Sequence, residues 1–159
     1  MRPSSEAELA DMVRVATGRL AICGGGTKAM QVAGQALSLS GLSGISHYEP
    51  EAMTLVAGAG TPMAEIEAAL TEHNQRLAFE PADWGRLLGT SGTPTLGAVA
   101  AMNNAGPRRV QAGAARDHML RVRYVDGAGQ IIKNGGRVMK NDKRLCGPWK
   151  LSKCHLCRN

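Results

Sequence analysis

The chain has 159 residues, 43% hydrophobic and 20% charged, which suits one domain or slightly more and excludes a largely disordered protein. Aromatic residues make up only 3% against 20 glycines, so any core must be built from Ala, Val, Leu, Ile and Met between tight turns. The net charge of +6 hides a division: residues 1–80 carry 5 basic and 9 acidic side chains, whereas residues 81–159 carry 14 and 4. A basic second half suits a polyanionic or phosphate-bearing partner, or a merely solvated basic face.

Ser5 and Glu8 have capping-box spacing, and Leu9, Met12, Val13 and Ala16 recur at helical intervals, which predicts a helix over about 5–17. Leu20–Cys23 reads as a short buried strand, with Cys23 as a small buried hydrophobe, and it runs into a glycine loop. Ala36–Leu39, Ile45–Tyr48 and Met53–Ala57 read as further strands, with a turn-rich Gly41–Gly44 connection. Thr61 at an N-cap and Pro62 at the first helical position precede Met63, Ile66, Ala69 and Leu70, which predicts a helix over 62–73. Its Glu65 and Glu67 belong to a solvated face. Leu77–Phe79 reads as a short strand, Glu80–Pro94 as an extended loop and Thr95–Met102 as a short buried helix. Met119–Val125 and Gln130–Lys133 flank Asp126-Gly127-Ala128-Gly129, a β-hairpin pattern. Short helices mixed with paired strands predict an α+β layered fold, not a βαβ repeat.

No segment approaches the roughly 20 apolar residues of a membrane-spanning helix, and the start holds no secretory apolar run. The expectation is a cytoplasmic protein, or one associated with a membrane through partner subunits. After Asn141 the periodic texture ends, and 142–159 reads as a basic tail with Cys146, Cys154 and Cys157. Cys154-x-x-Cys157 beside His155 invites a zinc reading, but the motif does not repeat as paired knuckles do, and no metal is assigned.

Three glycine-bearing loops could carry chemistry. In Gly24-Gly25-Gly26-Thr27-Lys28, successive glycines let backbone N–H groups converge on an anion, although a Gly-rich turn is often only a turn. It lacks the Walker A spacing. Gly58-Ala59-Gly60-Thr61-Pro62-Met63 has Met at the third glycine of a dinucleotide fingerprint and no surrounding βαβ unit, so its expected role is to cap the helix at 62. The third runs from Thr95 to Arg109 and on through Gly113, Arg116 and Asp117; its small residues suit a large flat ligand or a tightly packed helix.

Taken in order, the strand followed by GGGTK, then AGTPMAEIEAAL, FEPADWG, TLGAVAAMNNAGPRR, GAARDHMLRVRYVDGAG and GGRVMKN resemble the FAD-binding domain of the PCMH/vanillyl-alcohol-oxidase family, and more narrowly the FAD-binding subunits of glycolate oxidases. The resemblance covers about residues 3–141. It implies a two-lobed α+β domain with FAD between the lobes, the first over about 1–45 and the second over about 46–141. By resemblance, Gly24, Gly25, Gly26, Thr27 and Lys28 wrap the pyrophosphate, and Thr95, Leu96 and Gly97 line the flavin, with Ala98 where a second glycine is usual. Pro81, Asn103, Gly113 and Asp117 match further positions along the cofactor cleft. Some members link FAD covalently through a His in the first loop; that loop has none here, which implies noncovalent binding.

Members of the family continue past the Lys-Asn step into a Gly-Tyr-Asp segment, a completing glycine-rich strand and a substrate-binding cap. Asp142–Asn159 resembles none of these, so the expectation is a truncated homologue, incomplete at its C-terminus, whose tail is a frameshift or junction product. The implied function is oxidation of a 2-hydroxy acid such as glycolate, to glyoxylate, together with the other subunits of a glycolate oxidase complex and without nucleic acid. No catalytic residue is named; His118 beside Asp117 and the pair Arg108 and Arg109 are the side chains that draw attention. The alternative is a basic nucleic-acid-binding or zinc-tailed module, against which the second half offers only Tyr124, Trp84 and Trp149 for stacking.

Overall fold

The computed structural model describes residues 1–28 and 32–134 in full, and the backbone of 149–158. The first helix, α1 (Glu6–Val15), starts at Ser5, whose side chain accepts from the Glu8 N–H. The box is not closed as expected: Glu8 Oε2 accepts from the backbone and hydroxyl of Ser4, at 2.7 and 2.8 Å. Those bonds, the backbone one first, hold the Glu8 carboxyl below its ordinary range. Leu9, Ala10 and Val13 turn inward, Glu6 pairs with Arg123, and Arg14 Nη2 donates to Gly129 O at 3.1 Å.

Strands β1 (Leu20–Cys23) and β2 (Gln35–Ser38) pair in parallel as a separate two-stranded sheet. Only Ala21 of β1 is buried, and the expectation of a buried strand is corrected: Ile22 is 43% exposed and Cys23 is exposed. A two-stranded sheet covers one face at most, which leaves these side chains on the outer side. The chain then makes a 3₁₀ turn at Leu39–Gly41, so Leu39 ends the strand predicted to contain it.

The larger sheet contains β3 (Ile45–Glu49), β4 (Thr54–Gly58), β6 (Met119–Val125), β7 (Ile131–Asn134) and β8 (Trp149–Arg158), in the order β3-β4-β8-β6-β7. The backbone of β8 runs antiparallel to both β4 and β6, and its far end pairs with β5 (Gln75–Leu77). No element was expected after Asn141. The polar residues Lys150, Ser152, Lys153, His155 and Arg158 hide this strand from any apolar pattern. The strand predicted at Leu77–Phe79 sits two residues earlier, while Phe79 is buried in the core beyond it.

Helix α2 (Met63–Thr71) buries Met63, Ile66 and Leu70, the expected stripe, and leaves Glu65 and Glu67 outside. Its cap differs from expectation. Pro62, not Thr61, precedes the helix, and the Thr61 hydroxyl bonds both the N–H and the C=O of Gly44, at 2.9 and 3.2 Å. A buried hydroxyl is costly to leave unpaired, and that of Thr61 finds both of its partners in the Gly44 turn. The expectation that Gly58–Gly60 caps the helix gives way likewise: Gly60 N–H bonds Leu42 O at 2.9 Å, and the turn rests on the segment before β3.

Residues 80–94 are not wholly a loop. They contain α3 (Trp84–Leu88), capped by Asp83, whose side chain accepts from the Gly85 N–H, and closed by Gly89 at φ +65°. After α4 (Leu96–Ala101) come two single-turn helices that the pattern did not announce, α5 (Arg109–Ala112) and α6 (Ala115–His118). Leu9, Leu37, Leu55, Ile66, Leu70, Leu96 and Val125 are fully buried and belong to one core under both sheets, each worth about 1.5–3 kcal/mol of burial. Among the described residues, no helix is long and apolar enough to cross a membrane.

Candidate functional site

The glycine loop at the end of β1 lies against the start of α4. A Cβ on Gly24 would stand 3.0 Å from both Ala98 Cβ and Thr95 Oγ1. One on Gly25 would stand 1.5 Å from Thr93 O, where the Thr93 N–H also donates to Gly25 O at 2.8 Å. No side chain can be inserted there without parting the two segments, so the glycine is required by close approach. Gly26 takes φ +73°, the left-handed conformation that turns the loop. The N–H groups of Gly26 and Lys28 have no hydrogen-bond partner among the described residues. Thr95 Oγ1 is buried at the same junction, also without a partner among them.

Helix α4 is sewn to the larger sheet at its first turn. Leu96 N–H donates to Thr61 O at 2.9 Å and Gly97 N–H to Ala59 O at 2.8 Å, which satisfies amides that a helix start otherwise leaves unpaired. A Cβ on Gly97 would stand 2.7 Å from Ala59 Cβ. Thr95, Leu96 and Gly97 are thus fixed between the glycine loop on one side and the exit of β4 on the other.

Lys28 departs from a simple anion-binding lysine. Its Nζ lies over the Trp84 ring, 4.9 Å from the centroid, within cation–π range. The Trp84 Nε1–H donates to Asn104 Oδ1 at 2.9 Å, and Asn104 Nδ2 donates to Ala82 O at 2.8 Å. Trp84 and Asn104 are therefore fixed parts of the site's surroundings that sequence reasoning did not assign. Nothing in their local sequence marks them, because each partner lies about twenty positions or more away.

The remaining expected residues are gathered beyond α4. Pro81 lies between Glu80, whose carbonyl accepts from Gly106 N–H, and Ala82. Asn103, at φ +47°, accepts from Arg116 N–H at 3.0 Å. Gly113, at φ +73°, lies beside Asp117, whose Oδ2 accepts from Ala114 N–H at 2.8 Å. Asn103, Gly113 and Asp117 thus shape the turns around α6, and Asn103 and Asp117 accept from backbone N–H groups of the protein itself. His118 ends α6 just before β6; it stacks on Phe79 at 5.8 Å, and its Nε2 lies 2.7 Å from Ala112 O. Arg108 and Arg109 are exposed.

The cysteine-bearing tail contributes no described side chain: Cys146 and the block 135–141 lie outside the described residues, as do the side chains of Cys154, His155 and Cys157. Among the described residues no cluster of three His, Cys, Asp or Glu could hold a metal. The chemistry at hand is a backbone cradle without carboxylates, made of free amides, small residues and one buried hydroxyl. Such a donor set fits a pyrophosphate beside a flat ring system.

Comparison with known proteins bears on this geometry. Residues 1–135 match the FAD binding domain family. Glycolate oxidase subunit GlcE of Escherichia coli (strain K12) is 39% identical over 125 residues, which are 77% of this chain and 34% of that protein. In structure the chain is similar to 6-hydroxy-D-nicotine oxidase from Arthrobacter nicotinovorans, with a TM-score of 0.78 at 16% identity over 99% of this chain and 36% of the other. An alkyldihydroxyacetonephosphate synthase gives a TM-score of 0.77 at 18% identity, over 99% and 31%. The two solved structures establish the α+β fold that the sequence resemblance implied, and the family match makes it an FAD-binding domain. The chain spans about a third of the length of each of these proteins.

Proposed function

The chain belongs to the FAD-binding domain family, with FAD as its cofactor, and from that premise we propose that it is the FAD-holding part of a flavin-dependent oxidoreductase. The substrate is a 2-hydroxy acid, with glycolate, oxidised to glyoxylate, as the first choice. That choice is supported by the 39% identity to a glycolate oxidase subunit, and the same likeness supports work in concert with partner subunits. When bound, FAD supplies the acceptor for the two electrons that leave the alcohol carbon.

The observation that carries the reading is the interlock of the two loops, in which a Cβ on Gly25 would stand 1.5 Å from Thr93 O while the Gly26 and Lys28 amides have no partner among the described residues. Those amides take the pyrophosphate, while Thr95, Leu96 and Gly97 present the small surface on which the ring system lies. Binding is noncovalent, because the loop from Gly24 to Lys28 holds no His. Orientation of FAD is this chain's contribution to the rate, since electron transfer depends on the reacting atoms being held in register.

The test is reduction of the bound flavin. The chain, loaded with FAD and combined with the partner subunits of a glycolate oxidase, is mixed with glycolate under anaerobic conditions. Bleaching of the flavin by glycolate, and not by an acid lacking the 2-hydroxyl, is the expected result. Retained flavin that glycolate never bleaches in the complete mixture would overturn the substrate assignment.

A further inference from the structure

Segment 84–93 touches the glycine loop at Gly25, Thr27 and Lys28. Thr93 N–H donates to Gly25 O at 2.8 Å, Thr90 Oγ1 donates to Thr27 O at 2.8 Å, and the Trp84 ring carries the Lys28 ammonium. These contacts capture carbonyl oxygens and one side-chain charge, and they take no amide hydrogen from the loop. In a trans peptide the C=O and the following N–H point in opposite directions, and no cis bond occurs among the described residues. Fixing Gly25 C=O on Thr93 therefore aims the Gly26 N–H the other way. Fixing Thr27 C=O on Thr90 does the same for the Lys28 N–H. The Gly26 and Lys28 amides, which like those of Gly25 and Thr27 have no partner among the described residues, are thus aimed by bonds made on the opposite side of the loop.

We propose that segment 84–93 is a strap that sets the polarity of the glycine loop, with Thr90 and Trp84 as its positioning residues. Thr90 orients the Thr27–Lys28 peptide. Trp84, fixed in its turn by Asn104, draws the Lys28 side chain onto the strap, so that Lys28 serves the anion through its backbone N–H. The inference rests on the reading of this loop as the pyrophosphate seat, and its test separates the two.

The full chain, labelled with ¹⁵N, is titrated with inorganic pyrophosphate and, separately, with FAD, and the amide signals of Gly26 and Lys28 are followed. Both probes shift those two amides. Thr90→Val keeps the shape and deletes one donor, and it weakens both probes by about tenfold, the size of one hydrogen bond lost, with the melting temperature of the ligand-free chain lowered by about 2–4 °C. Thr90→Ser restores both affinities. Trp84→Phe keeps a ring face for Lys28 but loses the bond to Asn104; it falls between wild type and Trp84→Leu, and it carries the test by a route that leaves Thr90 intact. Wild-type affinity for pyrophosphate in both Thr90→Val and Trp84→Leu would overturn the strap, as would equal losses in Thr90→Val and Thr90→Ser. FAD binding with unmoved Gly26 and Lys28 amides would overturn the strap and the pyrophosphate seat at those amides, and leave FAD binding by the chain standing. Pyrophosphate binding that depends on Thr90, without any FAD binding, would do the reverse.

Discussion

Around α2 the structure is held by side chains: Leu55, Ile66 and Leu70 are fully buried, and the helix lies over β5 and the sheet through that apolar stripe. Around the glycine loop it is held by backbone and one hydroxyl: Gly25 against Thr93, Thr27 O on Thr90 Oγ1, Gly97 against Ala59. The first arrangement tolerates a change of volume at a cost that grows with the cavity. The second has no slack, since a single methyl group lands on a carbonyl oxygen. Stability is concentrated in one region and cofactor recognition in the other, so substitutions can separate them.

The largest expected effect is in the core. Ile66→Ala should lower the unfolding free energy by about 2–5 kcal/mol, measured by chemical denaturation, while the folded fraction keeps its FAD affinity. Gly25→Ala should do the opposite. Its Cβ would meet Thr93 O, and overpacking of about 1–3 kcal/mol should appear as a tenfold to hundredfold loss in FAD titrations, with a smaller change in unfolding. Gly97→Ala tests the seam between the regions: a Cβ 2.7 Å from Ala59 Cβ should cost about 1–2 kcal/mol in denaturation and weaken FAD together with it. Equal behaviour of Gly25→Ala and Ile66→Ala in both assays would erase the distinction.

The smallest effect lies far from the loop. Tyr48 donates to Gln75 Oε1 at 2.9 Å, and Tyr48→Phe should cost about 0.5–1.5 kcal/mol. Burial, and after it the Glu72 carboxylate, raises the Tyr48 pKa above its ordinary value. Its contribution is therefore present below that ordinary value and is lost as the pH climbs through the raised one. Alkaline denaturation curves of Tyr48→Phe should lack this loss and leave FAD binding unaltered.

How much of this was legible in the sequence follows the same division. The stripes of α1 and α2 and the hairpin of β6 and β7 were readable because side-chain burial imposes a period. Helix α3 was missed because only Gly85 of its five residues is buried, so no stripe exists; Asp83 and Gly89 were the available signals. Cys23 was misplaced because an apolar run looks the same on either side of a two-stranded sheet. Thr61 was misplaced because Thr-Pro reads as a cap unless the Gly44 turn is known to lie beside it. The glycine loops were visible as motifs, and their cofactor came by resemblance. Trp84, Thr90 and Asn104 were not visible as parts of the site: Thr90 meets Thr27 across 63 positions, and hydrogen bonds at that range leave no period.

The central claim is that the interlocked loops form a cofactor seat, and a visible absorption spectrum tests it most directly. The purified chain is incubated with FAD, desalted and scanned beside Gly25→Ala treated in the same way. The account predicts that the wild-type chain keeps the visible flavin bands and that Gly25→Ala loses them while remaining folded. A colourless wild-type chain, or equal retention by both proteins, would contradict it.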